Sequence, residues 1–340
     1  MSKTSYIPLT SSELGSLWST YLQNSMTEHV LNYFLVQVQD PDIEPYIQIA
    51  YDISLQSLDN IKSIFTQEKI PIPVGFTEQD VNLQAPRLFD DIFFLSYLQN
   101  LGKAGMAQYS LMKGMSTRKD IRAFFSSCHE ETSKLYDQVI DSLLNKGLLI
   151  RPPHIPIPNK VNFIEDKNYF DGISFIGKKR PLNVIEISQL FSNIQTNVIG
   201  VMLSIGFGQT AESQKVRDYM NRGKEIAKKH IKVFGDCLIE SDIQVPMTWD
   251  AATLESTVPV FSDKLMMFHF NMLVAGGIGN YGVAASVSQR SDLVLNYNRL
   301  SAEIVKYAND GANIMIKNGW MEEVPTAINR TNIIKKSGNK

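Results

Sequence analysis

The chain is written twice, so whatever fold one half takes the other must take as well. An offset of 173 positions lays Leu9 on Leu182, Glu13 on Glu186, Leu17 on Leu190, Asn24 on Asn197, Tyr46 on Tyr219, Ile70 on Ile243, Pro73 on Pro246, Pro86 on Pro259 and Asp90 on Asp263. After one deletion the offset becomes 172, bringing Arg118 onto Arg290, Asp120 onto Asp292, Glu131 onto Glu303, Lys134 onto Lys306, Gly147 onto Gly319 and Pro153 onto Pro325. Prolines, glycines and charged residues recurring in register identify two structural copies. One unit spans 9–150 and the other 182–325. Between them, 151–181 holds Pro152, Pro153, Pro156 and Pro158, then Lys178, Lys179 and Arg180, and reads as a linker. Residues 326–340 read as a C-terminal tail.

Within each unit the apolar residues fall at helical spacing, as in Leu14, Leu17, Trp18, Tyr21, Leu31, Phe34, Leu35 and Val38. Thr10 with Glu13, and Asn183 with Glu186, have the spacing of a capping box at the start of a first helix. Pro41 suits the first turn of a second helix running to Glu68, and Pro86 and Pro259 the first turn of a third. The fourth helix is expected from near Thr117 to Lys146 and from near Gln289 to Asn318, closed by Gly147 and Gly319. The stretches between second and third helices, 69–85 and 241–258, contain Ile-Pro-Ile-Pro-Val-Gly in one copy and Val-Pro-Met-Thr-Trp in the other. Connections that long can run the length of a bundle instead of merely reversing the chain. The predicted fold is all-α: two tandem ferritin-like four-helix bundles, each with a long crossover between helices 2 and 3.

Composition fits two such cores, with 340 residues, 44% of them hydrophobic and 10% aromatic. Thirty-three Lys and Arg against 35 Asp and Glu leave a net charge of −2, which provides no one-signed field for a nucleic acid or an anionic membrane. The two cysteines, Cys128 and Cys237, form neither a disulfide framework nor a metal pattern, and they do not correspond between units. Residues 1–8 lack the apolar core of a signal peptide. A soluble, cytosolic protein is expected, with protein partners or self-association and neither nucleic acid nor membrane.

A di-iron bundle of this class needs Glu-x-x-His on two helices, because positions three apart share an inward face. The motif is absent from both units. The first offers Asn24, Glu28, Asp52, Asp90, Asp91, His129, Glu130 and Glu131; the second offers Asn197, Glu225, His230, Asp263, His269 and Glu303. His230, four after Ile226, and His269, four after Leu265, are expected to face the core, joined by Glu303. The residues allow two readings. Glu225, His230, His269 and Glu303 are candidate ligands for iron or zinc in the second bundle, or they form a buried polar cluster without a cofactor. Ser57 and Ser96 stand in the first unit where the second has its histidines, so a shared di-metal site is not expected. His29 and His129 read as partly exposed helix residues, and His154 lies in the Pro-rich segment.

Gly277-Ile-Gly279-Asn-Tyr-Gly282 has the letters of a dinucleotide fingerprint, but the fourth helix comes next in the chain, where a βαβ unit would need a strand. Small residues that let helices approach closely are the expected reading, with room for a small apolar ligand.

The stretches Ile-Pro-Ile-Pro-Val-Gly-Phe-Thr (70–77), Arg-Pro-Pro-His-Ile-Pro-Ile-Pro (151–158), Phe-Ser-Asp-Lys-Leu-Met-Met-Phe-His (261–269) and Asp-Gly-Ala-Asn-Ile-Met-Ile-Lys-Asn-Gly-Trp (310–320), set in this duplication, resemble an uncharacterised family of duplicated ferritin-like bundles from spore-forming bacilli. That family is distantly similar to the spore-coat protein F type. The resemblance covers nearly the whole chain. It implies the fold, a His in both second helices, met here by His230 but not by Ser57, and association with the spore coat. Two functions are therefore expected to compete: a non-catalytic structural or interaction protein, and a metal-binding bundle descended from an oxidoreductase.

Overall fold

The repeated apolar stripes become buried helix faces at the same positions in both copies. The computed structural model of the chain describes residues 7–172, 179–246 and 252–331. Eight long helices form two four-helix units: α1 (Ser11–Gln37), α2 (Glu44–Glu68), α3 (Asp91–Gly114) and α4 (Lys119–Asn145), then α5 (Val184–Thr210), α6 (Gln214–Ile239), α7 (Asp263–Val287) and α8 (Ser291–Lys317). This is the tandem all-α architecture the duplication predicts. Helix α4 buries Ile121, Phe125, Cys128, Thr132, Leu135, Val139 and Leu143. At the matching positions α8 buries Leu293, Tyr297, Leu300, Ile304, Tyr307, Gly311 and Met315. Alternating steps of three and four keep such a seam on one face of a helix.

The helix ends reflect local chemistry. Thr10 and Asn183 complete capping boxes with Glu13 and Glu186. Gly147 (φ 68°) and Gly319 (φ 70°) take the left-handed conformation just beyond α4 and α8. The prolines sit differently from the expectation. Helix α2 starts at Glu44, with Pro45 rather than Pro41 in its first turn. Helices α3 and α7 start after the side-chain caps Asp90 and Ser262, so Pro86 and Pro259 belong to the crossovers. A side-chain oxygen satisfies an exposed N–H directly, whereas proline merely avoids having one.

Each capping carboxylate also reaches a second helix. Glu13 Oε1 accepts from the backbone N–H groups of Thr117 and Arg118, both at 2.7 Å, at the start of α4. Glu186 Oε1 accepts from Gln289 (3.1 Å) and Arg290 (2.9 Å) at the start of α8. One buried carboxylate thus holds two helix N-termini side by side, where both helix dipoles favour negative charge. Burial alone would raise the Glu13 carboxyl, but the N–H groups of Arg118, Thr10 and Thr117 hold it down at about 2.

The two units meet along their crossovers. Asn82 N–H donates to Val260 O (2.7 Å), Ser262 N–H to Asp80 O (2.9 Å), Leu254 N–H to Leu88 O (2.8 Å) and Asp90 N–H to Ala252 O (3.0 Å). The Tyr33 hydroxyl donates to Pro86 O (2.8 Å) and accepts from Leu88 N–H (3.0 Å), fixing the first crossover to α1. Phe89 stacks on Phe93 with centroids 3.9 Å apart and lies against Gly206 of α5, where an added Cβ would stand 2.5 Å from its ring. One hydrophobic cluster consequently runs through both units, from Met26 to Met315, while a smaller one around Trp18, Phe65 and Phe125 fills the far end of the first.

Helix α5 is long and apolar enough to cross a bilayer, yet 72% of that stretch is buried among the other helices. The segment after 150 returns to the second bundle through a short 3-10 turn, Lys167–Phe170. There the Arg180 guanidinium lies 4.1 Å over the Tyr169 ring and bonds both Glu186 oxygens at 2.8 Å. Residues 1–6, Lys178 of the linker, the Met247-Thr248-Trp249 stretch of the second crossover and Lys335-Lys336 lie outside the described residues.

Candidate functional site

The polar centre of the second bundle is built from one side chain on each of its four helices. His230, on the buried face of α6, has no exposed surface. Its Nε2 lies 3.1 Å from Glu303 Oε2 on α8, and its Nδ1 lies 2.8 Å from the Tyr281 hydroxyl on α7. A carboxylate only accepts, which places the ring proton on Nε2 and leaves Nδ1 to accept from Tyr281. The Tyr281 oxygen in turn accepts from Asn197 Nδ2 of α5 at 2.8 Å. At the surface end, Lys229 Nζ donates to both Glu303 oxygens at 2.9 Å.

The result is a directed chain, Asn197 to Tyr281 to His230 to Glu303, with Lys229 closing it. Desolvation lowers the His230 pKa, opposed by Glu303, so the ring is held neutral. Burial pushes the Glu303 carboxyl up, but the bonds from Lys229 and His230 outweigh it and hold the group below the usual carboxylate range. Buried polar groups of this kind are tolerated when each finds a partner.

The other two candidate ligands stand elsewhere. His269 is buried at the junction of the two units, its Nε2 3.2 Å from the Tyr97 hydroxyl of α3 and its ring against Phe207. Glu225 faces outward, its side chain 63% exposed and paired with Lys224 at 3.2 Å. The quartet drawn from helical periodicity does not converge, and among the described residues no group of three or more His, Cys, Asp or Glu is placed to hold a metal ion. Periodicity finds the core face of a helix but not which neighbouring helix that face meets.

In the first bundle Asn24 lies beside Tyr109, keeping the Asn and Tyr of the chain, while Ser57 replaces the histidine and contacts the Cys128 thiol at 3.6 Å. Burial raises that thiol to about 11, leaving it protonated and inert at neutral pH. Glu131 accepts instead from Ser127, on the exposed side. His29 is buried, contrary to the expectation of partial exposure, with its Nδ1 3.2 Å from the Glu28 carboxylate. His129 is half-buried and His154 exposed.

The glycine motif lies wholly within α7. Of its glycines only Gly277 packs near another side chain, 3.7 Å from Ile304 measured at an added Cβ, while Gly279 and Gly282 face open space. A side chain at any of the three would meet at most an ordinary van der Waals contact, so close helix approach does not require these glycines.

The family described as protein of unknown function DUF3231 matches residues 2–161 and again 170–333. The chain belongs to the DUF3231 family. The two matches coincide with the two bundles, so this is a DUF3231 protein in tandem. "Uncharacterized protein YvdQ" of Bacillus subtilis (strain 168) is 24% identical over 152 residues, covering 43% of this chain and 88% of YvdQ. A solved structure from Bacillus halodurans C-125, described as a "putative spore coat protein", is 20% identical with a TM-score of 0.40, covering 44% of this chain and 98% of that one.

Because His269 is buried neutral and pushed down to about 4 by desolvation, the unfolded chain binds its proton first as the pH falls from about 6.5. Its contribution is present in full above that pH and is lost on the way down to 4. It amounts to about 3 kcal/mol over the window. His269→Gln keeps a hydrogen-bonding partner for Tyr97, and urea unfolding at pH 7 and pH 4.5 is expected to show a smaller pH-dependent loss than in the unaltered protein. An unchanged loss would place the titration elsewhere.

Proposed function

We propose that this DUF3231 protein is a non-catalytic structural or interaction protein of the sporulating cell, made in the cytosol and joined to the spore through contacts with other proteins or further copies of itself. The observation that carries this reading lies between the bundles. Ile157, Val161 and Phe163 are 85–87% exposed on a proline-spaced segment that leads to the Arg180 and Glu186 anchor, with Ile164 and Phe170 beside them about half exposed. Connecting segments are ordinarily polar, and a run of exposed apolar side chains beside two rigid bundles is the character of a protein docking surface. The interior supports the same reading, since the second bundle's polar centre spends its groups on one another. Association with the spore rests on the sequence resemblance of the stretches at 70–77, 151–158, 261–269 and 310–320.

The test is quantitative immunoblotting of purified spores and mother-cell fractions for the unaltered protein and for Ile157→Asp with Phe163→Asp. Enrichment in spores, reduced at least several-fold by the double change at an unaltered melting temperature, is expected. Equal incorporation of the variant, or absence of the protein from spores, would overturn the proposal.

A further inference from the structure

A half-open cavity lies among the four helices of the second bundle. It has a volume of about 60 Å³, with Leu273, Val274 and Ile304 among its apolar walls and Asn197 and Tyr281 also lining it. Three glycines, Gly200, Gly223 and Gly277, line it, and at two of them the first bundle has Thr27 and Ala50 instead. At Gly200 and Gly277 an added Cβ would find its nearest neighbours at 3.7 Å or beyond, so no packing contact demands the missing side chain. Glycine inside a helix costs about 1 kcal/mol against alanine, and at Gly200 and Gly277 the omission leaves space, whereas at Gly223 the Tyr307 hydroxyl and the Phe270 ring occupy the place of a side chain.

The polar lining is matched to one kind of group. The Tyr281 hydroxyl is already occupied by His230 and Asn197, and Asn197 Nδ2 by Asn193 and Tyr281. The side-chain oxygen of Asn197 accepts no hydrogen bond among the described residues, which suits a donor on the occupant. Engineered cavities of about 150 Å³ hold benzene, so this one, at about 60 Å³, is sized for roughly two or three heavy atoms.

We infer that the second bundle binds a short-chain alcohol or another small hydroxyl-bearing molecule, its hydroxyl donated to Asn197 and its alkyl part against Leu273, Val274 and Ile304. This does not rest on the assembly role proposed above and fails or stands separately from it. Because the Asn197 amide also bonds Tyr281, occupancy is expected to be felt at His230, two hydrogen bonds away.

The probe is ethanol, titrated into the full-length protein while the methyl resonances of Leu273, Val274 and Ile304 and the ring nitrogens of His230 are followed. Saturable shifts with a millimolar Kd are expected, and Gly277→Val, which fills the space, should weaken binding at least tenfold without lowering the melting temperature. Should that variant not fold, Val274→Phe fills the same space from another wall. Linear, unsaturating shifts, or equal binding by a folded, filled variant, would overturn the inference.

Discussion

Glu186→Gln lowers the stability of the protein by about 3–5 kcal/mol at pH 7, because it neutralises a fully buried carboxylate and leaves the Arg180 guanidinium without its counter-charge. Glu13→Gln, at the same place in the first bundle, costs about 2 kcal/mol. Glu13 is held by backbone N–H groups and the Thr10 and Thr117 hydroxyls rather than by a cation. Urea unfolding separates the two values. The depressed carboxyl sets the sign of the pH dependence: its contribution is complete above about 4.5, the ordinary value, and disappears as the pH falls toward 2. The difference between Glu13→Gln and the unaltered protein should therefore shrink below pH 4. If both variants lay within 0.5 kcal/mol of the parent at pH 7, on the scale of an ordinary surface change, the double helix-capping role would be wrong.

Phe89→Ala should cost about 3–5 kcal/mol, the usual loss when a buried aromatic is truncated to a methyl. Its significance is the location, since Phe89 joins the first crossover to α5 of the second unit. Gly206→Leu approaches the same seam from the other side and should destabilise by overpacking, because Phe89 is pinned by its stack on Phe93 and has no free space to enter. With a core continuous across both units, either variant is expected to shift one cooperative calorimetric transition as a whole. Two transitions in the parent protein, only one of them moved by Phe89→Ala, would mean that the copies fold independently.

Much of this architecture was legible in the residues. The two offsets, 173 and then 172, marked the two units, and the Thr10 and Asn183 boxes marked the first helix starts and Gly147 and Gly319 the last helix ends, because caps are local to a few residues of chain. The second contact of Glu13 and Glu186 was not seen, since it depends on where the start of a fourth helix docks more than a hundred residues later. Its trace was present, in that Glu13 recurs with Glu186 while Thr117-Arg118 and Gln289-Arg290 recur at the other offset.

The site was legible only in part. Spacing correctly placed His230 and His269 in the interior, but each helix turns its face toward a different neighbour, so His230 meets Tyr281 and Glu303 whereas His269 meets Tyr97 of the other unit. Asn197 was picked out by its match to Asn24, and Tyr281, which completes the hydrogen-bonded chain, could have been found from the repeat, where Tyr109 holds the corresponding place.

Metal content reports most directly on whether that centre is closed by its own hydrogen bonds. A metal shared by His230 and Glu303 would have to take the place of the Nε2 proton, losing their 3.1 Å hydrogen bond, and compete with Lys229 for the carboxylate oxygens it bonds at 2.9 Å. Protein purified without an affinity tag or chelator should contain far less than one iron, zinc or manganese per chain, and its melting temperature should be unchanged by a chelator. One metal per chain, lost together with several degrees of melting temperature on chelation and absent from His230→Ala, would contradict the closed centre and restore the metalloprotein reading.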